Sequence, residues 1–159
     1  MDARYLAGFF DGEGGVSIGI TTVTRGNCRY WVPQLQVTLT NIDLTIMKNI
    51  KGFLNYGHLN QLRLRRRTER DCFQIRFHKP EDIIHFVDAI LPYSYIKKQL
   101  LELVRKAAVF VLSFKGSQKW TPEVLDDFQE RYVNKCRELN GHSTRGRKCK
   151  YPRPLKKEV

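Results

Sequence analysis

Two carboxylates lie near the start of the chain, in the stretch YLAGFFDGEGGVSI from Tyr5 to Ile18. Asp11 and Glu13 are two positions apart, and carboxylate oxygens are among the ligands that hard divalent cations prefer. Glycines crowd around the pair, namely Gly8, Gly12, Gly14 and Gly15. Since a glycine inside a helix costs roughly 1 kcal/mol relative to alanine, glycines at this density need a structural or functional reason.

The chain carries a large positive charge. It has 28 Lys and Arg residues against 16 Asp and Glu residues, so its formal net charge is +12. A field of this strength attracts polyanions, which are nucleic acids or anionic membrane surfaces. No apolar run is long enough to cross a bilayer, and the N-terminus shows no secretion signal. We therefore expect an intracellular protein, in the cytoplasm or an organelle, without a membrane partner.

The cysteines do not form a zinc-binding pattern. Cys28, Cys72, Cys136 and Cys149 lack the CxxC spacing of a zinc ribbon. Free thiols in a reducing compartment are the simplest interpretation, with a Cys136–Cys149 bridge as the alternative in a thermophile.

Hydrophobic periodicity predicts one α+β domain over residues 1–141, followed by a basic tail over 142–159. Alternating apolar and polar residues predict strands over about 16–24, 29–40, 58–67 and 71–78. Helical spacing and capping residues predict five helices, over 3–10, about 44–54, 80–91, about 95–113 and 121–139. The α-β-β-α-β-β-α order is typical of a four-stranded antiparallel sheet whose helices pack on one face and leave the other open.

Polar and basic side chains would cover that open face. It suits the major groove of DNA, where Arg reads guanine and Gln reads adenine through paired hydrogen bonds. A face that is merely solvated is the alternative, but it needs no row of arginines. The residues expected to bind DNA are Ser17, Gly19, Thr21, Gln34, Gln36, Thr38, Gln61, Arg63, Arg65, Arg67, Gln74, Arg76 and His78.

The opening stretch resembles a known family signature. LAGFFDGEG, Leu6 to Gly14, is similar to the motif that names the LAGLIDADG homing endonucleases. TNIDLTIMKNIKGFLNYG, from Thr40, resembles the family segment that follows the second strand, and LPYSYIKKQLLEL, from Leu91, resembles its Pro-then-Lys-Lys segment. The resemblance covers roughly residues 3–112, and the predicted strand and helix order is the fold that it implies.

The resemblance implies a site-specific endonuclease that makes a metal-dependent double-strand break in a long, roughly palindromic DNA target. The chain has one copy of the motif, so we expect a homodimer that cuts one strand per subunit. In the family the motif helix packs against its counterpart, which implies an interface at Ala7, Gly8, Asp11 and Gly12. A free-standing chain of this length favours an intron-encoded protein.

By the motif match, Glu13 is the metal-binding acid and the carbonyl of Gly12 is a further ligand. The implied cofactor is Mg²⁺, with Mn²⁺ or Ca²⁺ able to replace it in binding. Lys97 matches the family's pocket lysine, with Lys98 as the competing register. Asn41 matches a polar pocket position, although helix capping explains it equally well.

Other functions remain open from the sequence. An RNA-splicing maturase with the same fold would bind RNA and would not need Glu13. A DNA-binding regulator would keep the fold and lose cleavage. A phosphate-binding glycine loop is less consistent, because GFFDGEGG follows a helix and precedes a strand, whereas phosphate-binding loops run from strand into helix.

Overall fold

The computed structural model describes residues 1–62, 71–114 and 120–141. Helix α1 spans Ala3–Glu13, and the Asp2 carboxylate caps it by accepting a hydrogen bond of 2.9 Å from the Tyr5 amide. Strand β1, Gly14–Arg25, begins at the next residue. The acidic stretch of the sequence therefore forms a direct helix-to-strand junction, with Glu13 as the last helical residue.

The four strands form one antiparallel sheet. After β1 come β2 (Cys28–Asn41), β3 (His58–Leu62) and β4 (Cys72–Phe77), and the spatial order is β1-β2-β4-β3. The predicted α+β class with a four-stranded antiparallel sheet is confirmed. Residues 63–70, on which the predictions for Arg63, Arg65 and Arg67 fall, lie outside the described residues.

Helices cover one face of this sheet. They are α2 (Leu44–Leu54), α3 (Pro80–Ile90), α4 (Lys98–Ser113) and a last helical stretch made of α5 (Pro122–Phe128), a π-helical segment (Gln129–Asn134) and α6 (Lys135–Leu139). A short 3₁₀ turn, Leu91–Tyr93, joins α3 to the segment before α4. Within the ranges that the structure describes, no helix is long and apolar enough to cross a membrane.

The core lies between the sheet and these helices. Its aromatic centre is a stack of Phe77 on Phe86, with ring centroids 4.7 Å apart, and an edge contact of Phe10 with Phe86 at 5.7 Å. All three rings are fully buried. Phe10 belongs to α1, so the packing of its ring fixes the motif helix against the rest of the core.

The register of β3 corrects the sequence prediction for one residue. Gln61 pairs with Phe73, and Leu59 pairs with Ile75, so both point toward the helix-covered face. The sequence predicts an alternation with Leu62 on the helix-covered face and Gln61 on the open face. This alternation is out by one residue, and a shift of one residue exchanges the two faces of a strand. The prediction that Gln61 lies on the open face is wrong; Leu59, which packs against the core, sets the register instead.

The last helical stretch packs along β1, which is an edge strand. The side-chain amide of Asn140 donates a hydrogen bond of 3.1 Å to the carbonyl oxygen of Val16, and Cys136 is buried beside it as a free thiol. These contacts attach the end of the described chain to the edge of the sheet and cover part of that edge.

Candidate functional site

The junction between α1 and β1 requires glycine at position 14. A Cβ atom there would lie 2.2 Å from Cδ2 of Phe10 and 2.5 Å from the carbonyl oxygen of the same residue. The glycine therefore lets the chain turn into β1 directly over the buried Phe10 ring. Glu13, just before this turn, is exposed, and in the part of the chain that is described no hydrogen bond or ion pair engages its carboxylate.

Lys97 places a cation at the same helix end. Its Nζ donates hydrogen bonds to the carbonyl oxygens of Gly14 at 2.5 Å and Phe10 at 3.1 Å, with the carbonyl of Gly12 at 3.5 Å. Carbonyl groups at the C-terminal end of a helix carry partial negative charge, so a cation is stabilised there. Burial lowers the pKa of Lys97, while the nearby Asp11 and Glu13 carboxylates oppose this change.

Asp11 holds the segment that carries Lys97. Its carboxylate accepts hydrogen bonds from the Ser94 hydroxyl at 2.5 Å and from the backbone amides of Tyr95, Ile96 and Lys97 at 2.8, 3.2 and 3.1 Å. Burial alone would raise its pKa, but these hydrogen bonds outweigh burial and lower the pKa below its ordinary value. These contacts give Asp11 a structural role at the end of α1.

Asn41 is used locally rather than at this junction. Its Oδ1 accepts a hydrogen bond of 2.9 Å from the Asp43 amide, and the Asp43 carboxylate in turn caps α2. In the sheet Asn41 pairs with Phe73, on the side that the helices cover. The cap of α2 therefore comes from Asp43, and Asn41 binds the backbone of the turn that leads into the helix.

The donor groups at the junction fit a magnesium ion. Among the described residues there is no cluster of three or more His, Cys, Asp or Glu side chains that could hold a metal. The exposed Glu13 carboxylate and the adjacent exposed Gly12 offer oxygen atoms, and Mg²⁺ is commonly bound by one or two carboxylates together with substrate phosphates and water. This chain would therefore supply only part of the coordination.

The open sheet face carries most of the predicted polar residues. Strand pairing places Ser17 opposite Gln36, Gly19 opposite Gln34, and Thr21 opposite Val32. Thr38 lies opposite Gly15 on one side and Arg76 on the other. Sequence reasoning missed His58 and Asn60, which pair with Arg76 and Gln74 on this face, because the register of β3 was predicted one residue out.

Hydrogen bonds connect two of these side chains. Nε and Nη2 of Arg76 donate to Oε1 of Gln74 at 3.0 and 2.6 Å, and Nε2 of Gln74 donates to the Thr40 hydroxyl at 3.2 Å. Beside them, burial lowers the pKa of His78, and the charges of Arg76 and His58 lower it further. A backbone hydrogen bond with Leu35 raises this pKa but does not outweigh the other effects.

The exposed side of α1 differs from the expectation at one position. Gly8 and Gly12 are exposed, and a Cβ atom at either would meet nothing within 4 Å. Ala7 is fully buried in the core of the same chain, so its predicted place on a surface between subunits is wrong. Helical geometry turns position 7 about 100° away from position 8, which brings it into line with the buried Leu6 and Phe10.

Fold and site together describe an α+β domain with an open polar sheet face and an exposed acid immediately before the edge strand β1. The family model for LAGLIDADG endonucleases matches residues 6–106. The chain therefore belongs to the LAGLIDADG endonuclease family, and the predicted resemblance is confirmed. A comparison of the sequence with curated proteins found no significant match.

Solved structures of homing endonucleases share the fold. One is I-CvuI in complex with the I-CreI target, with a TM-score of 0.68 and 20% identity over 91% of this chain and 85% of that chain. The archaeal intron-encoded I-Vdi141I bound to DNA has a TM-score of 0.62 and 18% identity over 94% and 88%. The homing endonuclease I-TnaI has a TM-score of 0.59 and 17% identity over 89% and 98%.

Proposed function

We propose that this protein is a homing endonuclease that makes a Mg²⁺-dependent double-strand break in a long, roughly palindromic DNA site. The observation that carries the proposal is the exposed Glu13 carboxylate, placed by Gly14 and Lys97 where the motif helix meets the edge strand of the polar sheet face. Membership of an endonuclease family supports the same reaction.

The residues at the junction would have different roles, some binding the cation and others positioning the backbone. Glu13 and the carbonyl of Gly12 would hold the cation, which when bound would polarise the scissile phosphate and activate a water molecule. Lys97 is a positioning residue, because its ammonium group binds the carbonyls on both sides of Glu13 and so fixes the backbone that presents the acid. Asp11 positions Lys97 in turn, through the backbone amide of Lys97.

The sheet face would bind the duplex. Polar side chains from all four strands lie on it, and a formal charge of +12 on each copy favours binding to the phosphate backbone. The solved structures of I-CvuI and I-Vdi141I contain DNA, which supports the same partner for a chain of the same fold. I-Vdi141I is also intron-encoded, and we extend the proposal to an intron origin here.

We infer that two copies of the chain act together. A double-strand break needs an acid at each of two scissile phosphates, and the chain has one motif. The side of α1 that carries Gly8 and Gly12 is open enough for a second backbone to approach. Large apolar side chains lie exposed on the same helix and on the segment that Asp11 holds, namely Tyr5, Tyr95 and Ile96. They extend the proposed surface beyond the glycines.

A cleavage selection from a randomised duplex library with Mg²⁺ tests the proposal. The wild type should cut a partly palindromic site, and Glu13→Gln should bind that site without cutting it, because the substitution removes a charged metal ligand and leaves the sheet intact. Glu130→Gln makes the same chemical change on an exposed residue of the C-terminal helical stretch, so it should cut like the wild type.

Two outcomes would contradict the proposal in different ways. Loss of binding together with cutting in Glu13→Gln would make Glu13 a structural residue. A wild type that cuts no duplex in the presence of Mg²⁺ and retains RNA in a parallel pull-down would instead favour the RNA-splicing maturase.

A further inference from the structure

We propose that Arg76 reads a base of the target, and that Gln74 and Thr40 hold its guanidinium group in place and do not read bases themselves. The inference rests on the proposed DNA-binding function. It gives different roles to two neighbouring side chains of the same sheet face, both of which the sequence presents simply as polar residues.

The three side chains form a chain of hydrogen bonds across two strands. The guanidinium of Arg76 donates twice to Oε1 of Gln74, at 3.0 Å from Nε and 2.6 Å from Nη2. Nε2 of Gln74 then donates to the Thr40 hydroxyl at 3.2 Å, and Thr40 is the residue opposite Gln74 in the strand pair. Because arginine can only donate, the amide of Gln74 has to turn its oxygen toward Arg76.

Arg76 keeps several N–H donors that Gln74 does not use. A guanidinium group carries five N–H bonds, and Gln74 takes the one on Nε and one on Nη2. Three N–H bonds remain, two on Nη1 and one on Nη2. One bond from each of these nitrogens forms the parallel fork at the tip of the side chain. Reading guanine requires such a fork, directed at O6 and N7. The contact with Gln74 therefore leaves the base-reading edge of Arg76 available.

The hydrogen bonds from Arg76 also prevent Gln74 from reading a base. A glutamine recognises adenine by using its carbonyl oxygen as acceptor and its amide nitrogen as donor at the same time. Oε1 of Gln74 already accepts both bonds from Arg76. Gln74 could read adenine only by releasing Arg76, and that would leave the arginine without its support.

The position in the sheet makes this support useful. Arg76 lies on β4, an inner strand, between Thr38 of β2 and His58 of β3. Arg76 and Gln74 are half-buried, so their side chains are ordered on folding rather than on binding. A side chain that is already held in its binding conformation loses less conformational entropy when DNA arrives, which favours both affinity and discrimination.

A binding selection on a randomised duplex library tests the proposal, using the full chain with Ca²⁺ as the divalent ion. Arg76→Met removes the fork, and Gln74→Met leaves it without support. Both should relax the preference for guanine at the same base-pair position, by about tenfold for Gln74→Met. Thr40→Val should weaken the preference at that position by less. The control Gln129→Met, the same change on a half-buried glutamine of the C-terminal helical stretch, should leave that position unchanged.

A further variant tests whether the accepting oxygen of residue 74 is what holds Arg76. Gln74→Glu keeps an oxygen that accepts from Arg76, so guanine should still be preferred at that position. Melting temperatures close to that of the wild type would show that each variant is folded.

The inference would be overturned if Gln74→Met relaxed a different position from Arg76→Met, or left every position unchanged. A wild type that enriches no duplex sequence at all would overturn the proposed function itself, and this inference with it.

Discussion

The Asp11 carboxylate and the Ser94 hydroxyl lie 83 positions apart in the chain and are joined by a hydrogen bond of 2.5 Å. Ser94 is buried. The Asp11 carboxylate also accepts hydrogen bonds from the three backbone amides that follow Ser94 in the chain. One acidic side chain of the motif helix thus fixes the approach to α4, and with it the backbone of Lys97.

Removing the Ser94 hydroxyl should therefore destabilise the fold. Ser94→Ala leaves a partly buried carboxylate with one hydrogen bond fewer, and hydrogen bonds to charged groups contribute about 1.5–3 kcal/mol. We expect the free energy of unfolding in urea to fall by that amount. Ser113→Ala, which removes an exposed hydroxyl bound only to a carbonyl of its own helix, is the matched control and should have little effect. If Ser94→Ala lowered the unfolding free energy as little as Ser113→Ala does, the contact with Asp11 would add no stability.

The pH dependence of unfolding provides an independent check on Asp11. The hydrogen bonds lower its folded-state pKa below 3.8, so its ionisation stabilises the fold above that pH. This contribution is lost as the pH falls through the lower folded-state pKa. The stability difference between wild type and Asp11→Asn should therefore be constant above about pH 5 and shrink below about pH 4. A difference that stays constant down to pH 3 would contradict this assignment.

Gly14 and Gly12 should respond in opposite ways to alanine. Gly14→Ala places a methyl group against the Phe10 ring and carbonyl, so we expect a loss of about 1–3 kcal/mol in unfolding free energy. Gly12→Ala meets open space in a single chain and removes a glycine from the last turn of α1, so stability should stay the same or rise by up to about 1 kcal/mol.

The same pair of variants probes the proposed interface. If Gly12 faces a second copy, Gly12→Ala should weaken dimerisation in analytical ultracentrifugation while leaving the fold intact. A dimer unaffected by Gly12→Ala would place the interface elsewhere.

Local sequence patterns were sufficient to predict most elements of this fold. In the predicted strands over about 16–24 and 29–40 the alternation is long and regular, and its apolar positions Val16, Ile18 and Val37 are buried in the core. The helix predicted over 121–139 likewise starts where Thr121 caps it and Pro122 takes the first helical position. These signals depend on neighbouring residues only, so a single sequence contains them.

Long-range contacts set the features that the sequence could not predict. A helix predicted from about residue 95 begins at Lys98, because the amides of Tyr95, Ile96 and Lys97 bind Asp11 instead of helical carbonyls. The bonds between Gln74 and Arg76 depend on side-chain conformation, which alternation does not specify. In β3 only Leu59 defines the buried face within a short strand, so a pattern centred on Leu62 was misleading.

DNA binding should strengthen as the pH falls if His78 faces the duplex. Burial and the charges of Arg76 and His58 hold its pKa below 6.5, so it is largely neutral at pH 7 in the free protein. Phosphates would favour the protonated form, and binding would then take up a proton. As the pH falls from 7 toward the pKa of His78 in the free protein, affinity should rise by up to about tenfold per pH unit and then level off, and His78→Gln should flatten this dependence. His85→Gln, on α3, is the control, and a slope unchanged in His78→Gln would exclude contact.

The attachment of the last helical stretch to β1 can be measured through Cys136. Burial raises the pKa of its thiol, whereas Cys28 is exposed near the β1–β2 turn. A thiol reagent at pH 8 should therefore modify Cys28 quickly and Cys136 only when the helix opens, as followed by peptide mass mapping. Asn140→Ala removes the hydrogen bonds that its side-chain amide donates to the Val16 carbonyl and to the Cys136 sulfur. A loss of about 1 kcal/mol should speed modification of Cys136 about fivefold. Equal rates at Cys28 and Cys136 in the wild type would show that this helix does not stay packed on the sheet.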